Sequence, residues 1–542
     1  MINWTKNESE ILSRIPENFW DNPSRLLEEK ATTLKQSGYH REVYSLPIDE
    51  TGKKVLVKHF VFSTLKEKIK WKLKKSAAQK EWFLLNYLQK NNVPTPTPLA
   101  FAYQNHNGFI ESWLVIDYVD NAITFDKVAP PKSPKETLIA TKLLASAIAN
   151  LHFSSVRHGD LHSGNLLFLP EEKKWLITDF QRSKEHCYGK SDYIKDLVQL
   201  NHCLGKKVRL GVRLVFLKNY LKTFAELTET ENEIADWEWK NLFFEIGKKT
   251  RLYAINQAKI RSKRCENSNT DFATIDELLP DNTNVSLFEQ AHVKRGVSKQ
   301  LINDLINLIS DKNWYLDADI TIIKNRPSVA VGVWPHPHGN LFIKQYRYRN
   351  SFREKILRFF HKSKSHRNWR AVWRLRHMHI STPKPIMVAW SPRGGFIAWE
   401  CLTDGITCEA ALIRLTETEN YSQRIKLIRK VAIELGLFHD RGAEHGDLKS
   451  SNILVLDIES KNPRVYFTDV DASKFYHFLP FARRVRDLAR LYAALYPFVS
   501  NFEVRYFLRR YLKMQSDDIN LRQLIVAVRD RAEKKIIQKH LK

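Results

Sequence analysis

HGDLHSGN (158–165) and HGDLKSSN (445–452) are two near-identical octapeptides within one chain of 542 residues. In each, an Asp is followed five residues later by an Asn: Asp160 and Asn165, then Asp447 and Asn452. A β-rich run follows each copy and ends in Thr-Asp, at Thr178-Asp179 and Thr468-Asp469. A neutral oxygen donor and a carboxylate are hard ligands suited to a small divalent cation. A further loop carboxylate beside them is suited to orienting a hydroxyl and taking its proton.

The repetition extends well beyond the octapeptides. VLVKHF (55–60) pairs with LFIKQY (341–346), each a short apolar strand with a central lysine. VPTPTP (93–98) pairs with ISTPKP (380–385), IDYVDNAIT (116–124) with WECLTDGIT (399–407), and IKDLVQL (194–200) with VRDLARL (485–491). Lys344 lies 286 residues after Lys58, Asp447 lies 287 after Asp160 and Asp487 lies 291 after Asp196. Landmarks in constant order at nearly constant offset mark duplication of a whole domain, not a solenoid of short units. LIATKLLASAIANLH (138–152) and IKLIRKVAIELGLFH (425–439) have the spacing of amphipathic helices leading into the octapeptide loops. The polar ENSNTDFATIDELLPDNTN reads as a linker, and VSKQLINDLINLIS (297–310) as a helix within the boundary region. The expected division is an N-terminal extension (1–34), a first domain (35–265), a linker with a helix (266–312) and a second domain (313–542).

Asp, Asn and a second Asp in this order, downstream of a strand lysine, resemble the apparatus of protein-kinase-like phosphotransferases. The fold expected is α+β: two tandem bilobal domains, each with a β-rich N-lobe and a helical C-lobe. The resemblance implies ATP and Mg²⁺ as cofactors. It implies Asp160 and Asp447 as the residues that orient the acceptor hydroxyl, and Asn165, Asp179, Asn452 and Asp469 as metal ligands. Lys58 would pair with the nucleotide phosphates, steadied by Glu81, and Lys344 would do the same in the second copy. As single residues, a loop Asp or Asn is usually a turn or cap residue, and Lys58 or Lys344 an edge-strand lysine; the repeated constellation reverses that weighting. Asp196 and Asp487 read as structural, tying loop backbone to the helix beneath. His336 and His338 read as a hairpin tip rather than a metal pair.

The copies differ. Lys449 stands two residues after Asp447, where it would neutralise transferring phosphate; the first copy has His162. Aligning the proline loops sets Asn368 opposite Glu81, so the second copy is expected to lack the ion pair that fixes its lysine. Glu354, ten residues after Lys344, is too close to replace it. Neither copy has a GxGxxG stretch; SGYHREVYSL (37–46) and NRPSVAVGV (325–333) fill that region, and the DFG position reads DFQ (179–181) and DVD (469–471). Gly stands where protein kinases have the Arg of HRD, so activation by a phosphorylated loop is not expected.

KEWFLLNYLQKNNVPTPTP, HGDLHSGNLL, ITDFQRS and RSKRCENSNTDF in the first copy, with WRAVWRLRHMHISTPKP, HGDLKSSNILV and RVRDLARL in the second, resemble the lipopolysaccharide core kinases that act on heptose and Kdo (3-deoxy-manno-octulosonic acid). The resemblance implies ATP-dependent phosphorylation of an inner-core sugar hydroxyl on a lipid-linked glycan, at the cytoplasmic face of the inner membrane. Members of that family usually carry one kinase domain, so the tandem is a departure from it.

Composition fits these readings. Hydrophobic content of 43% supports real cores, and Lys plus Arg exceed Asp plus Glu by 87 to 60, a net charge of +27. Such charge calls for an anionic partner. FSTLKEKIKWKLKKSAAQK (62–80) and RYRNSFREKILRFFHKSKSHRNWRAVWRLR (347–376) mix cations with aromatic and aliphatic residues, the second with 11 basic residues against one acid. That mixture suits an anionic membrane surface or a phosphorylated saccharide; the bland alternative is a solvated basic helix. No RNA- or DNA-binding signature accompanies it, so no nucleic-acid partner is expected. The five cysteines lack CxxC spacing and fit a reducing compartment. No apolar run reaches the ~18 residues of a membrane span, and the N-terminus has no signal pattern; the location expected is cytoplasmic and peripheral on the inner membrane. The rival readings are a soluble aminoglycoside- or choline-type kinase, whose cationic substrates suit an acidic cleft, a Ser/Thr protein kinase, and a second domain acting as a regulatory pseudokinase.

Overall fold

The structure is a computed structural model that describes residues 2–36, 41–62, 76–106, 109–125, 134–204, 208–228, 239–347, 363–391 and 394–540. The chain divides into two compact units, Met1–Tyr253 and Ala254–Lys542.

The first unit opens on a sheet built from β1 (Trp4–Lys6), β2 (Thr32–Gln36), β3 (Arg41–Pro47), β4 (Lys54–Phe62), β5 (Pro98–His106) and β6 (Phe109–Asp117), in the order β1-β5-β6-β4-β3-β2. Alternation in β4 sends Val55 and Val57 to a core shared with Leu46, Leu99 and Trp113, leaving Lys58 for the opposite face. The helix Ala77–Lys90 packs on that opposite face through Trp82, Leu85 and Leu88. The helical half follows, with a small sheet of β7 (Ile123–Thr124), β8 (Leu166–Leu169) and β9 (Lys174–Ile177) and the helices Pro134–Phe153, Lys190–Leu204 and Leu210–Thr228.

The second unit repeats the plan. Its sheet contains β10 (Phe272–Thr274), β11 (Gln290–Lys294), β12 (Thr321–Arg326), β13 (Val329–Trp334), β14 (Leu341–Arg347), β15 (Pro385–Ser391) and β16 (Gly394–Glu400), in the order β10-β11-β15-β16-β14-β13-β12. The helix Lys364–His377 is the counterpart of Ala77–Lys90. The helical half holds Cys408–Glu417, Tyr421–Asp440, Phe481–Leu495, Asn501–Leu512 and Leu521–His540, with β17 (Ile406–Thr407), β18 (Ala443–Glu444), β19 (Ile453–Leu456), β20 (Arg464–Phe467) and β21 (Lys474–Phe475). Duplication reaches irregular detail: β2–β3 shifts register between Thr33 and Lys35, and β12–β13 between Ile322 and Lys324.

Two expected boundaries are corrected. Residues 266–312 are not a linker, because β10 and β11 join the second sheet, β11 pairing antiparallel with β15. Phe272, Ala273, Ala291 and Val293 are buried there, and the helix Lys299–Ser310 sends Leu301, Ile302, Leu305, Ile306 and Ile309 into the same unit's core. Nor is 1–34 a free extension. β1 pairs antiparallel with β5, and Ile15, Phe19, Leu26 and Leu27 cover the sheet. The two segments are counterparts: Trp4 pairs with Ala102, and Gln290 with Trp390. The unit boundary falls inside the helix Trp239–Ser262.

Candidate active sites

In the first unit Lys58 sits on an interior strand, opposite Val43 of β3 and Leu114 of β6. This rules out the edge-strand reading. Its Nζ lies 2.5 Å from Glu81 Oε1, with Lys58 only 5% and Glu81 1% exposed. Removing either partner of such a pair would strand a buried charge. The Ser76 side chain fixes the start of the helix that carries Glu81 by accepting the Gln79 N–H. The Phe180 N–H donates to the same Glu81 oxygen at 3.3 Å, so lysine strand, helix and Thr-Asp turn share one carboxylate.

The octapeptide loop is held from beneath. Asp196 is fully buried and accepts the N–H groups of His158 at 2.6 Å and Gly159 at 2.9 Å, the structural role expected of it. Gln199, on the same helix, accepts the Leu161 N–H at 2.8 Å and donates to the Gly159 carbonyl at 3.0 Å. Burial pushes His158 below the ordinary histidine range, against the pull of Asp196. The ring is therefore neutral; Nε2–H meets the Thr178 carbonyl at 2.9 Å, and Nδ1 accepts the Asp160 N–H at 3.3 Å. One imidazole thus joins the two loops of the site.

Asn165 donates its amide nitrogen to the Asp160 carbonyl at 3.0 Å, which presents the amide oxygen as the atom for a cation. Asp179 adopts left-handed backbone (φ 68°, ψ 66°), a costly conformation that marks functional turns. Arg41 of β3 holds Asp179 Oδ2 at 3.1 Å and donates to Gln181 Oε1 at 3.3 Å. Arg182 Nη1 lies 3.4 Å from Asp160 Oδ2.

The second unit repeats the frame. Asp487 accepts the N–H groups of His445 (2.7 Å) and Gly446 (3.1 Å), and His445 Nε2 meets the Thr468 carbonyl at 3.0 Å. Asn452 donates to the Asp447 carbonyl at 2.8 Å, and Asp469 is left-handed (φ 53°, ψ 47°). Lys449 Nζ lies 2.9 Å from Asp447 Oδ2. Lys344 lies opposite Val331 and Ile397, as Lys58 lies opposite Val43 and Leu114.

The lysine's partners differ. Asn368 occupies the fifth place of its helix, as Glu81 does, and donates to Tyr346 Oη at 2.9 Å rather than meeting Lys344. The expected loss of an ion pair is corrected: Lys344 Nζ lies 2.6 Å from Asp469 Oδ1 and 3.2 Å from Asp471 Oδ2. Burial opposes the Lys344 charge, but Tyr346, Asp471 and Asp469 raise its pKa above the ordinary lysine range. Arg41, Tyr346 and Asp471 went unread in the sequence; the signal was the second acid of DVD, together with an Asn where an acid was needed.

The donor sets fit Mg²⁺ and a triphosphate. Each pairs one amide oxygen with one carboxylate, and Mg²⁺ commonly takes few protein ligands and completes its shell with phosphates and water. Among the described residues no group of three or more His, Cys, Asp or Glu gathers as an alternative cation site. His336 lies in the turn between β13 and β14, 3.1 Å from Asp304 Oδ2, in keeping with a hairpin tip. Residues 63–75 and 348–362 of the basic segments, Glu354 among them, and the SGYH of 37–40 lie outside the described residues.

Residues 17–214 and 336–511, together more than half of the chain, match the lipopolysaccharide kinase (Kdo/WaaP) family. The 3-deoxy-D-manno-octulosonic acid kinase of Vibrio cholerae serotype O1 (strain ATCC 39315 / El Tor Inaba N16961) is 29% identical over 114 residues, 21% of this chain and 46% of that protein. The chain thus spans less than half the length of this curated relative. Among solved structures, WaaP in complex with acyl carrier protein is similar with a TM-score of 0.32 and 17% identity, covering 44% of this chain and 98% of that one. The Cydia pomonella granulovirus kinase PK-1 is similar with a TM-score of 0.22 and 21% identity, covering 31% and 58%.

Proposed function

The chain belongs to the lipopolysaccharide kinase (Kdo/WaaP) family, and from that premise we propose that it transfers the γ-phosphoryl group of ATP to a sugar hydroxyl of a lipopolysaccharide inner core. The observation that carries this reading is the twofold constellation of lysine, octapeptide Asp and Asn, and left-handed Asp, on matching elements of both units. Asn165 with Asp179, and Asn452 with Asp469, would hold Mg²⁺, which would supply positive charge against the nucleotide phosphates.

The chain's own residues do the rest. Lys58, steadied by Glu81, grips the nucleotide. Asp160, fixed through the His158–Asp196 frame, orients the acceptor hydroxyl and takes its proton as the new O–P bond forms and the bond from the γ-phosphorus to the ADP oxygen breaks, ADP leaving with the electron pair. Arg182 and Lys449 stand beside Asp160 and Asp447, where a cation offsets charge on the transferring group. Arg41 and Lys344 pair with Asp179 and Asp469, the carboxylates that would hold the cation.

A net charge of +27 supports an anionic glycolipid acceptor and action at the cytoplasmic face of the inner membrane, in preference to the cationic substrates of aminoglycoside- or choline-type kinases. The experiment is incubation with γ-labelled ATP, Mg²⁺ and extracted inner-core glycolipid, then mapping of the label. Phosphate on a heptose or Kdo hydroxyl is expected. Label on aminoglycoside, choline or protein alone would replace this reading with one of its rivals.

A further inference from the structure

We propose that Asp471 is the positioning residue of the second unit's nucleotide lysine, acting from the turn after β20 as Glu81 acts from its helix, so that the second unit keeps a nucleotide site. The inference rests on the proposed function and deepens it, because loss of the helix carboxylate at Asn368 otherwise marks this unit as a non-binding remnant.

Three substitutions between the units converge on one ammonium group. Phe60, two residues after Lys58, becomes Tyr346; Glu81 becomes Asn368; Gln181, two residues after the left-handed Asp, becomes Asp471. They form one continuous chain. Asn368 Nδ2 donates to Tyr346 Oη at 2.9 Å, Tyr346 donates to Asp471 Oδ2 at 3.1 Å, and Lys344 Nζ reaches the same oxygen at 3.2 Å. Asn368 is 1% exposed, so its amide needed a partner; the hydroxyl that Phe60 lacks supplies one. In the first unit the corresponding neutral Gln181 accepts from Arg41. That arginine is absent from the second unit, where Val329 pairs with Tyr346 as Arg41 pairs with Phe60. One carboxylate was lost and another gained around the same lysine, so the number of carboxylates is kept while the arginine is not replaced.

The relocation matters once Mg²⁺ claims Asp469. Lys344 then gives up its 2.6 Å partner, and Asp471 is the carboxylate it retains. Because that carboxylate sits two residues from a metal ligand, cation binding and lysine placement are linked through one short turn. The helix Lys364–His377 is not needed to supply a charge.

The test uses the full chain with the first site disabled by Lys58→Met and Asp179→Asn, titrated with a fluorescent ATP analogue in the presence of Mg²⁺. Asp471→Asn is expected to weaken binding about tenfold, as loss of a partly buried charge partner does. Adding Asn368→Glu, which restores a helix carboxylate, is expected to recover affinity to within about threefold of the parent. A merely structural Asp471 would not be rescued from the helix, so loss without recovery overturns the proposal, as does unchanged affinity in Asp471→Asn. A parent with no binding overturns it too, together with the second active site, while phosphotransfer by the first unit of the unaltered chain still reports on the proposed function separately.

Discussion

The glycine of each octapeptide shows what the loop demands of single residues. Gly159 and Gly446 have φ of +78° and +84°, and a Cβ there would lie 2.4 Å from the Arg182 carbonyl oxygen or 2.6 Å from that of Ala472. No side chain fits, which is the physical reason that Gly stands where protein kinases have Arg. Asp196 and Asp487 each hold two N–H groups of this loop. Asp196→Ala would leave those donors buried and unpaired, a loss of about 2–5 kcal/mol, read as a lower unfolding midpoint of the first unit in urea. An unchanged midpoint would show that the loop is held elsewhere. Asp160→Ala leaves this frame intact. It should lower kcat of the first unit by about 10²–10⁴-fold, the usual worth of a positioned base, measured by γ-phosphoryl transfer in an Asp447→Ala background. At this scale the Asp, Asn and Asp positions were legible because spacing fixes them. Arg41 and Asp471 were not, because their partners are set by strand register and by how a turn folds back.

Elements were legible where one period dominated. The lysine strands and the helices entering the octapeptide loops follow their 2- and 3.6-residue patterns. Short strands hid in polar sequence: β10 has three residues and β11 five, too few for alternation to rise above the turn residues around them. Their place is set by the sheet edge they cover, which is a non-local fact. The same holds for β1 and the helices that follow it. The N-terminal segment is therefore integral to the first unit. Phe19, wholly buried against Trp4, should cost about 3–5 kcal/mol when cut to Ala, in chemical denaturation followed by tryptophan fluorescence. Leu305→Ala in the helix Lys299–Ser310 of the second unit should cost about 2–5 kcal/mol. A negligible change would return the first segment to the status of an extension, or the second to that of a linker.

For the whole molecule, buried imidazoles set a pH limit. Burial lowers the pKa of His158, His439 and His445, against neighbouring carboxylates that raise it. The unfolded chain binds protons near pH ~6.5, where these native groups do not. Stability is therefore present above that value and lost as pH falls through it toward the native pKa values. Each histidine contributes about 1.4 kcal/mol per unit of pKa difference. Urea midpoints should fall between about pH 7 and pH 5; midpoints flat across that window would show that folding leaves the pKa values of these rings unchanged.

Both units carry the same Asn–Asp donor pair beside a lysine on an interior strand, and equilibrium binding of a non-hydrolysable ATP analogue to the intact chain tests this. With Mg²⁺, two analogues are expected to bind per chain, and none when the cation is chelated. A stoichiometry of one, or binding indifferent to Mg²⁺, would contradict it.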